Sequence, residues 1–229
     1  MKITLLGHSG FVAEGQSACL VFDYYTDEQG MVGRLPFGSK PVVFFVSHSH
    51  QDHYNPRILK YAGESVGYVL GAGISMPAAA NTVMLHKGQS ASLFGVAVTA
   101  FGSTDQGVSY LVELEGKKLF HAGDLNDWYW EEESTAEELL HDEQWFLDEI
   151  KPLAGSRPDV AFFPVDARLG RHAMRGAIHF ARAAAPKLLV PMHLNGGVEL
   201  PARLAQAFAA EGISTAVAPI TRPGDSVTI

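Results

Sequence analysis

The stretch His48-Ser49-His50-Gln51-Asp52-His53 follows directly on the apolar run Val42-Val43-Phe44-Phe45-Val46. Imidazoles and a carboxylate packed this densely supply the ligand atoms that a transition metal needs at the end of a strand. In an extended turn, side chains two residues apart project to the same side, so His48 and His50 can bind one metal while Asp52 and His53 reach a neighbouring position. A solvated polar loop is the alternative, but ligand-type residues at this spacing favour a two-metal site.

Length and charge are consistent with a soluble globular protein. The chain has 229 residues, of which 47% are hydrophobic, and we expect one domain over residues 1–229 with a substantial core. The formal net charge of -8 disfavours non-specific attraction to nucleic acid or to an anionic membrane. We therefore expect a small-molecule partner, with no nucleic acid and no membrane.

The compartment is inferred from two features. Cys19 is the single cysteine and cannot form an intramolecular disulfide, and its strand-like surroundings indicate a small buried hydrophobe. The N-terminal apolar run is too short for a signal peptide, and no later run approaches the length of a membrane span. These features predict a cytoplasmic protein.

Short strand-like runs dominate the first two-thirds of the chain, and many are expected to pair antiparallel. A capping-box pattern at Ser134-Thr135-Ala136-Glu137 then predicts a long amphipathic helix. The predicted strands are Ile3 to Leu6, Phe11 to Ala13, Cys19 to Phe22, Val42 to Val46, Val66 to Leu70, Val96 to Phe101, Val108 to Leu114, Lys118 to His121, Val160 to Val165, Leu188 to Val190 and Ile213 to Val217; the later helices are Ala173 to Ala185 and Leu200 to Ala210. This order predicts layers with sheets inside and helices outside.

Further candidate ligands lie at the ends of predicted strands. His121-Ala122-Gly123-Asp124 closes one strand, and Gly123 lets the backbone turn so that Asp124 can face inward. His193 closes the strand Leu188 to Val190. A lone histidine after a strand is more often structural, but together with the first cluster these residues favour a metal site.

These motifs resemble those of the metallo-β-lactamase superfamily. His48-x-His50-x-Asp52-His53 matches its signature, Gly123-Asp124 its later bridging aspartate, and His193 its last histidine. Gly7-His8-Ser9-Gly10-Phe11 resembles the opening of the branch that includes ascorbate 6-phosphate lactonase and zinc-dependent hydrolases. The resemblance spans nearly the whole chain and implies an α/β fold, a four-layer αβ/βα sandwich of two mixed sheets with helices on the outer faces.

One departure from the family pattern affects the first metal position. Members with two complete sites carry another histidine on the loop that here reads Gly102-Ser103-Thr104-Asp105-Gln106-Gly107. Three alternatives are open: Asp105 supplies the missing ligand, water supplies it, or this position is weak and the enzyme works with one metal. A carboxylate oxygen is an acceptable zinc ligand, whereas a turn residue capping its own backbone is the alternative for Asp105.

The resemblance implies a ligand set and a chemistry. His48 and His50 would hold the first metal, Asp52, His53 and His193 the second, and Asp124 would bridge them. Zinc, one or two ions per chain, is favoured because the second motif position is His50, although such sites also accept Mn²⁺, Fe²⁺ or Ni²⁺. The implied reaction is hydrolysis, since a metal lowers the pKa of water to about 7. Asp52 and Asp124 are the candidate catalytic residues, and Asp52 could also hand a proton to the leaving group.

Substrate contacts are predicted from less specific features. Arg168 and Arg171, with Arg175 behind them, follow a strand end, where a guanidinium fork would suit a phosphate or carboxylate. In the alternative interpretation, these arginines lie in the solvated first turn of the following helix. Asp166 is a candidate partner that orients a ligand histidine from behind, and His8 is a candidate substrate contact, orienting group or core histidine. Trp128-Tyr129-Trp130 either forms an aromatic wall over the site or anchors the following helix.

Three functions remain open at this point. The preferred one is a metallo-hydrolase that opens a small lactone or ester, with an anionic substrate held by the arginines. A phosphodiesterase or nuclease shares the metal motif, but the acidic net charge disfavours it. A non-catalytic metal-binding protein with a degraded first site is the third. Only the resemblance suggests a homo-oligomer.

Overall fold

The first seventy or so residues after the N-terminus build most of one sheet. The computed structural model describes residues 1–77 and 79–229. The strands are β1 (Lys2–Gly7), β2 (Gly10–Glu14), β3 (Cys19–Phe22), β4 (Val42–Val46), β5 (Val66–Gly71) and β6 (Thr82–Leu85). β1 to β3 pair antiparallel, whereas β3 to β6 pair parallel. β3 and β4 are buried along their whole length, as central strands covered on both faces must be.

The following residues build a second sheet. Its strands are β7 (Ser90–Leu93), β8 (Val96–Phe101), β9 (Ser109–Leu114), β10 (Lys117–His121), β11 (Val160–Pro164), β12 (Leu188–Met192) and β13 (Ala216–Val217). β7 to β10 are antiparallel, and β10 to β13 are parallel. β14 (Ser226–Thr228) returns to the first sheet and pairs with β1, so each sheet has seven strands.

Aromatic side chains from both sheets fill the space between them. Phe22 stacks on Phe45 with ring centroids 4.9 Å apart, and Phe11 of the first sheet lies 4.4 Å from Phe162 of the second. All four side chains are essentially inaccessible to solvent. Burying a phenylalanine contributes about 1.5–3 kcal/mol, so this layer is a major source of stability.

Helices cover the outer faces of the sandwich. α1 (Ala136–Ile150), α2 (Arg175–Ala184) and α3 (Leu200–Ala210) belong to the second sheet, where Phe180 of α2 stacks on Phe120 and Phe163. The first sheet carries two short 3₁₀ helices, Val32–Arg34 and Pro56–Tyr61, whose Val32 and Ile58 are fully buried. The predicted αβ/βα sandwich of two mixed sheets is confirmed, with a thinner helical layer over the first sheet.

The helix starts differ from the predicted ones. The capping box of α1 is formed by Thr135 and Glu138, one residue later than the predicted Ser134 and Glu137. The helix predicted from Ala173 begins at Arg175, because the chain first forms a 3₁₀ helix, Ala167–His172, with Gly170 at a φ of 56° inside it. Within the described part of the chain, no helix is long and apolar enough to cross a membrane.

Candidate metal centre

The loop after β4 presents the first pair of candidate ligands. His48 is buried, and its Nε2 lies 3.0 Å from Nδ1 of His50. Asp105, on the loop after β8, places its Oδ2 3.8 Å from the same His50 nitrogen. The His50 and Asp105 side chains are each 40% exposed, so this position opens toward solvent. The loop in which the resemblance implies a histidine therefore brings a carboxylate close to His50.

A second group forms beside the first. Ligand atoms of His8, Asp52, His53 and His193 all lie within 4.8 Å of one another. His8 follows β1 and His193 follows β12, and both adopt positive φ angles, of 52° and 59°. The amide of His193 donates to the carbonyl of His8, and their ring centroids are 3.9 Å apart. The two sheets thus meet at this pair of histidines.

Asp124 lies between the two groups and faces both. Its Oδ2 is 3.3 Å from Nε2 of His48, and its Oδ1 is 3.0 Å from Nε2 of His53 and 3.6 Å from Nε2 of His193. Gly123 makes this possible, since its φ is +55° and a Cβ there would lie 2.8 Å from the Cβ of Ser47. One carboxylate with an oxygen on each side is the arrangement that a bridging ligand requires.

Hydrogen bonds fix the orientation of the histidines from behind. Nδ1 of His53 donates to Asp23 at 2.7 Å, and Nδ1 of His193 donates to Asp166 at 2.8 Å. Nδ1 of His48 lies 2.9 Å from the Ser47 hydroxyl, which itself donates to Asp23 at 2.6 Å. With Nδ1 carrying the proton, each ring presents the lone pair of Nε2 to the centre.

Asp23 and Ser47 were not among the candidate residues found from the sequence. Asp23 directly follows the apolar strand β3, so the rule that singled out Asp124 and His193 could have identified it. His121 is the last residue of β10; it is fully buried, its Nε2 donates to the Ser9 carbonyl at 2.9 Å, and its Nδ1 lies 3.9 Å from Asp23.

The charged groups of the cluster shift one another's pKa values. Burial lowers the pKa of His53, but the facing carboxylates of Asp124 and Asp23 outweigh it and raise that pKa to about 10, so a metal that binds Nε2 must displace a proton from it. Burial likewise raises the pKa of Asp124, yet the imidazoles of His48 and His53 hold it well below its usual range. Burial, with the neighbouring His193 and His53, lowers the pKa of His8 to about 4, so its ring is neutral near pH 7 and can offer a lone pair.

The donor atoms fit a metal ion. Nε2 of His8, Nε2 of His53 and Oδ1 of Asp124 are buried and form no hydrogen bond with the described residues; the 3.0 Å contact between the His53 and Asp124 atoms is not aligned as one. Leaving such groups unsatisfied costs about 1–3 kcal/mol each, which a shared cation would offset. Imidazole nitrogens together with carboxylate oxygens are the donor set of zinc and of related transition metals.

A cavity of about 480 Å³ opens over the cluster. Asp52, Asp124 and His193 contribute to its wall, and Trp128 and Trp130 line it beside them. Trp128 also donates its indole N–H to the carbonyl of Asp124 at 2.9 Å. The aromatic pair therefore forms a wall next to the candidate ligands.

The arginines singled out from the sequence are placed differently from one another. Arg168 lines the cavity but is bound to Asp166, with Nε at 3.0 Å and Nη2 at 2.6 Å from Oδ2. Arg171 lies in a neighbouring groove, paired with Glu131, and Arg175 donates to Asp127 at 2.5 Å. The structure brings Arg168 to the cavity and leaves the other two outside it. His8 lies within the ligand cluster and is not part of the cavity wall.

Comparisons with known proteins agree with this architecture. A family model described as "Beta-lactamase superfamily domain" matches residues 2–193, which include every candidate ligand. A metal-dependent hydrolase from Pyrococcus abyssi is 28% identical over 85% of this chain and 85% of its own. A metallo hydrolase from Ignicoccus hospitalis has a TM-score of 0.68 at 20% identity, over 99% of this chain and 97% of that one. The metallo-beta-lactamase fold protein YhfI from Bacillus subtilis has a TM-score of 0.66 at 14% identity, over 99% of both chains. The chain belongs to the metallo-β-lactamase superfamily.

Proposed function

We propose that this protein is a metal-dependent hydrolase that cleaves an ester or lactone bond of a small molecule bound in the cavity. The observation that carries the proposal is Asp124, whose two oxygens face two separate groups of histidines while Oδ1 has no hydrogen-bond partner among the described residues. Relatives such as the Pyrococcus abyssi protein bear the name metal-dependent hydrolase, which supports the same reaction class.

The proposed ligands divide into two sets. His48, His50 and Asp105 would hold one ion, with Asp124 shared between the two positions. Asp52, His53 and His193 would hold the other, and His8 lies within reach of the same position. We propose zinc because the set is rich in imidazole, although Mn²⁺, Fe²⁺ and Ni²⁺ accept the same donors.

The chain's own residues prepare the site for hydrolysis. A bound divalent metal would supply the acidity that makes water nucleophilic near neutral pH and would polarise the substrate carbonyl. Asp23 and Asp166 hold the His53 and His193 rings in place, so the donor atoms need little rearrangement. Asp52 lines the cavity with 46% of its side chain exposed, where it could carry a proton to the leaving oxygen.

A phosphodiesterase acting on nucleic acid receives less support. Nucleic-acid sites gain affinity from unpaired lysines and arginines. Arg168 is the one lysine or arginine among the described residues that line the cavity, and Asp166 already neutralises it.

The proposal is tested by metal content and by two substitutions. We expect His48→Ala and Asp124→Ala to lose at least about a hundredfold in kcat/KM for simple lactones, because each removes a donor of the centre. Elemental analysis of protein purified without chelator should give one or two metal equivalents per chain, and two equivalents would support Asp105 as a ligand.

The control is His86→Ala, which removes an exposed histidine in the turn between β6 and β7. This variant should retain full activity and metal content, and circular dichroism should show that all three variants fold. A metal-free native protein, or His48→Ala with unchanged activity, would contradict the proposal.

A further inference from the structure

All three tryptophans of the chain line the cavity. Trp128 and Trp130 come from the segment after β10, and Trp145 comes from α1. The Trp128 and Trp130 rings are parallel to within 3°, with centroids 6.0 Å apart, and Trp128 meets the ring of His193 edge-on at 5.6 Å. A tryptophan surface therefore begins at the candidate ligands and continues along the cavity.

Trp145 is the unusual member of this set, because 39% of it remains exposed. The other large aromatic side chain of α1, Phe146, is fully buried and anchors the helix in the core. An indole that is partly exposed beside a cavity buries its remaining apolar surface when a ligand packs against it.

The charges around this surface do not favour an anion. The guanidinium of Arg168 lies 5.4 Å from the Trp130 ring, but Asp166 binds its Nε and Nη2. Asp142, one helix turn before Trp145, adds a carboxylate to the cavity wall. A negatively charged group packed against this surface would meet the carboxylate, and no unpaired lysine or arginine among the described lining residues offsets it.

We infer that the group of the substrate that does not react is an uncharged, flat ring, which packs against Trp130 and Trp145 while the scissile bond lies over the metal centre. The inference rests on the proposed hydrolytic function and adds the substrate class to it. The reaction breaks the acyl carbon–oxygen bond of the lactone and joins the oxygen of water to the acyl carbon. The product is a hydroxy acid, which releases one proton near neutral pH.

Matched lactones test the substrate class. The two compounds are δ-valerolactone and its benzo-fused analogue, an isochromanone whose leaving oxygen is benzylic. Their hydrolysis is followed by pH-stat titration. Each kcat/KM is divided by the rate constant for hydrolysis of the same lactone by hydroxide, which corrects for intrinsic reactivity. The native enzyme should prefer the fused ring by about threefold to tenfold, the range expected for an aromatic contact. Trp145→Ala should reduce this preference mainly through KM, and Trp145→Phe should restore part of it.

Leu140→Ala is the matched control, since it removes a side chain of α1 that is 68% exposed and does not line the cavity. The preference for the fused lactone should be the same in this variant as in the native enzyme. An unchanged preference in Trp145→Ala, or a higher kcat/KM for the isochromanone carrying a ring carboxylate, would overturn the inference.

Binding of lactams separates this inference from the proposed function, because lactams of this size resist hydrolysis. δ-Valerolactam and the benzo-fused lactam are titrated into the metal-loaded protein, and tryptophan emission reports binding because every tryptophan borders the cavity. Tighter binding of the fused lactam, lost in Trp145→Ala, supports the ring subsite even if no lactone is hydrolysed. Equal binding of the two lactams overturns the ring subsite even if lactones are hydrolysed.

Discussion

Asp23 connects the first sheet to the candidate metal centre. Only 1% of it is exposed, and it accepts hydrogen bonds from His53, from the Ser47 hydroxyl at 2.6 Å and from the Ser47 amide at 2.7 Å. Burial raises the pKa of Asp23, but His121 and His53 outweigh it, so the carboxyl group is ionised. Its charge holds the Nδ1 proton of His53 and keeps Nε2 available to a metal.

Replacing this carboxylate should weaken metal binding without removing a ligand. We expect Asp23→Asn to lower zinc affinity about tenfold to a hundredfold, the usual effect of losing a carboxylate behind a ligand histidine. Competition with a chromophoric chelator measures the affinity. Asp159→Asn is the control, since Asp159 accepts from Lys187 at 2.8 Å and from the Lys118 amide, away from the centre. Equal affinities for the two variants would show that Asp23 has no role in metal binding.

Individual residues of the candidate site could be predicted where a ligand-type side chain follows the end of a strand. His48, Asp124 and His193 were singled out in this way, and the structure brings them together. The approach of His8 to His193 could not be inferred, because it depends on how the turn after β1 lies against the end of β12 in the other sheet. The pairing of Arg171 with Glu131 could not be predicted either, because the two residues are forty positions apart in the sequence.

Two turns of the second sheet differ in what surrounds their glycines. Gly123 follows β10 beneath the centre, and a Cβ there would collide with Ser47 at 2.8 Å. Gly116 sits in the hairpin between β9 and β10 with φ +71°, and nothing lies within 4 Å of the position that a Cβ would take there. A side chain at either position would be strained by the positive φ, but only at Gly123 would it also clash with a neighbour.

This contrast predicts different outcomes for the same substitution. Gly123→Ala should lower both the melting temperature and the zinc affinity, because relief of the clash with Ser47 displaces Asp124. Gly116→Ala should cost only about 1 kcal/mol of stability and leave zinc affinity unchanged. Thermal unfolding and zinc titration of both variants provide the comparison, and unaltered zinc binding by Gly123→Ala would refute the steric argument.

Secondary structure was predictable where burial is continuous. β3, β4 and β5 are apolar throughout and were found from the sequence. β6, β7 and β14 were missed, because these sheet-edge strands alternate exposed with partly buried residues and owe their extended form to a neighbouring strand. The strand predicted over Ile213 to Val217 shrinks to Ala216–Val217, since only these residues pair with β12.

Across the whole molecule, the candidate ligands and the carboxylates behind them come from both sheets. His8, Asp23 and the His48 to His53 loop follow strands of the first sheet, whereas Asp105, Asp124, Asp166 and His193 follow strands of the second. A metal held at this junction would connect the two sheets directly. Because the unfolded chain lacks this arrangement, bound metal should stabilise the folded state.

Removal of the metal should therefore lower the melting temperature. At a free zinc concentration a thousandfold above Kd, the linkage is worth about 4 kcal/mol, or roughly 10 °C for a chain of this size. Calorimetry of chelator-treated and zinc-loaded protein measures the shift. Asp124→Asn should show little of it, and an equal shift in that variant would mean that zinc stabilises the fold from another place.

The layered order of strands and helices was predictable for the whole molecule, but the partition into two sheets was not. Local sequence patterns do not predict that β14 returns to the first sheet and pairs with β1. They also do not predict that β10 pairs with β9 on one side and with β11 on the other. Those pairings depend on contacts between distant parts of the chain. The motif resemblance supplied what periodicity could not.

Placing every candidate ligand in a loop beyond a strand end has an evolutionary consequence. A loop residue can be exchanged without disturbing the buried strands, so metal number and substrate range can change while the sandwich is inherited intact. The loop from Gly102 to Gly107 illustrates this freedom, since the residues that pair in β8 and β9 lie outside it and Asp105 lies within it. A change of metal number or substrate in this fold would thus require substitutions at only a few loop positions.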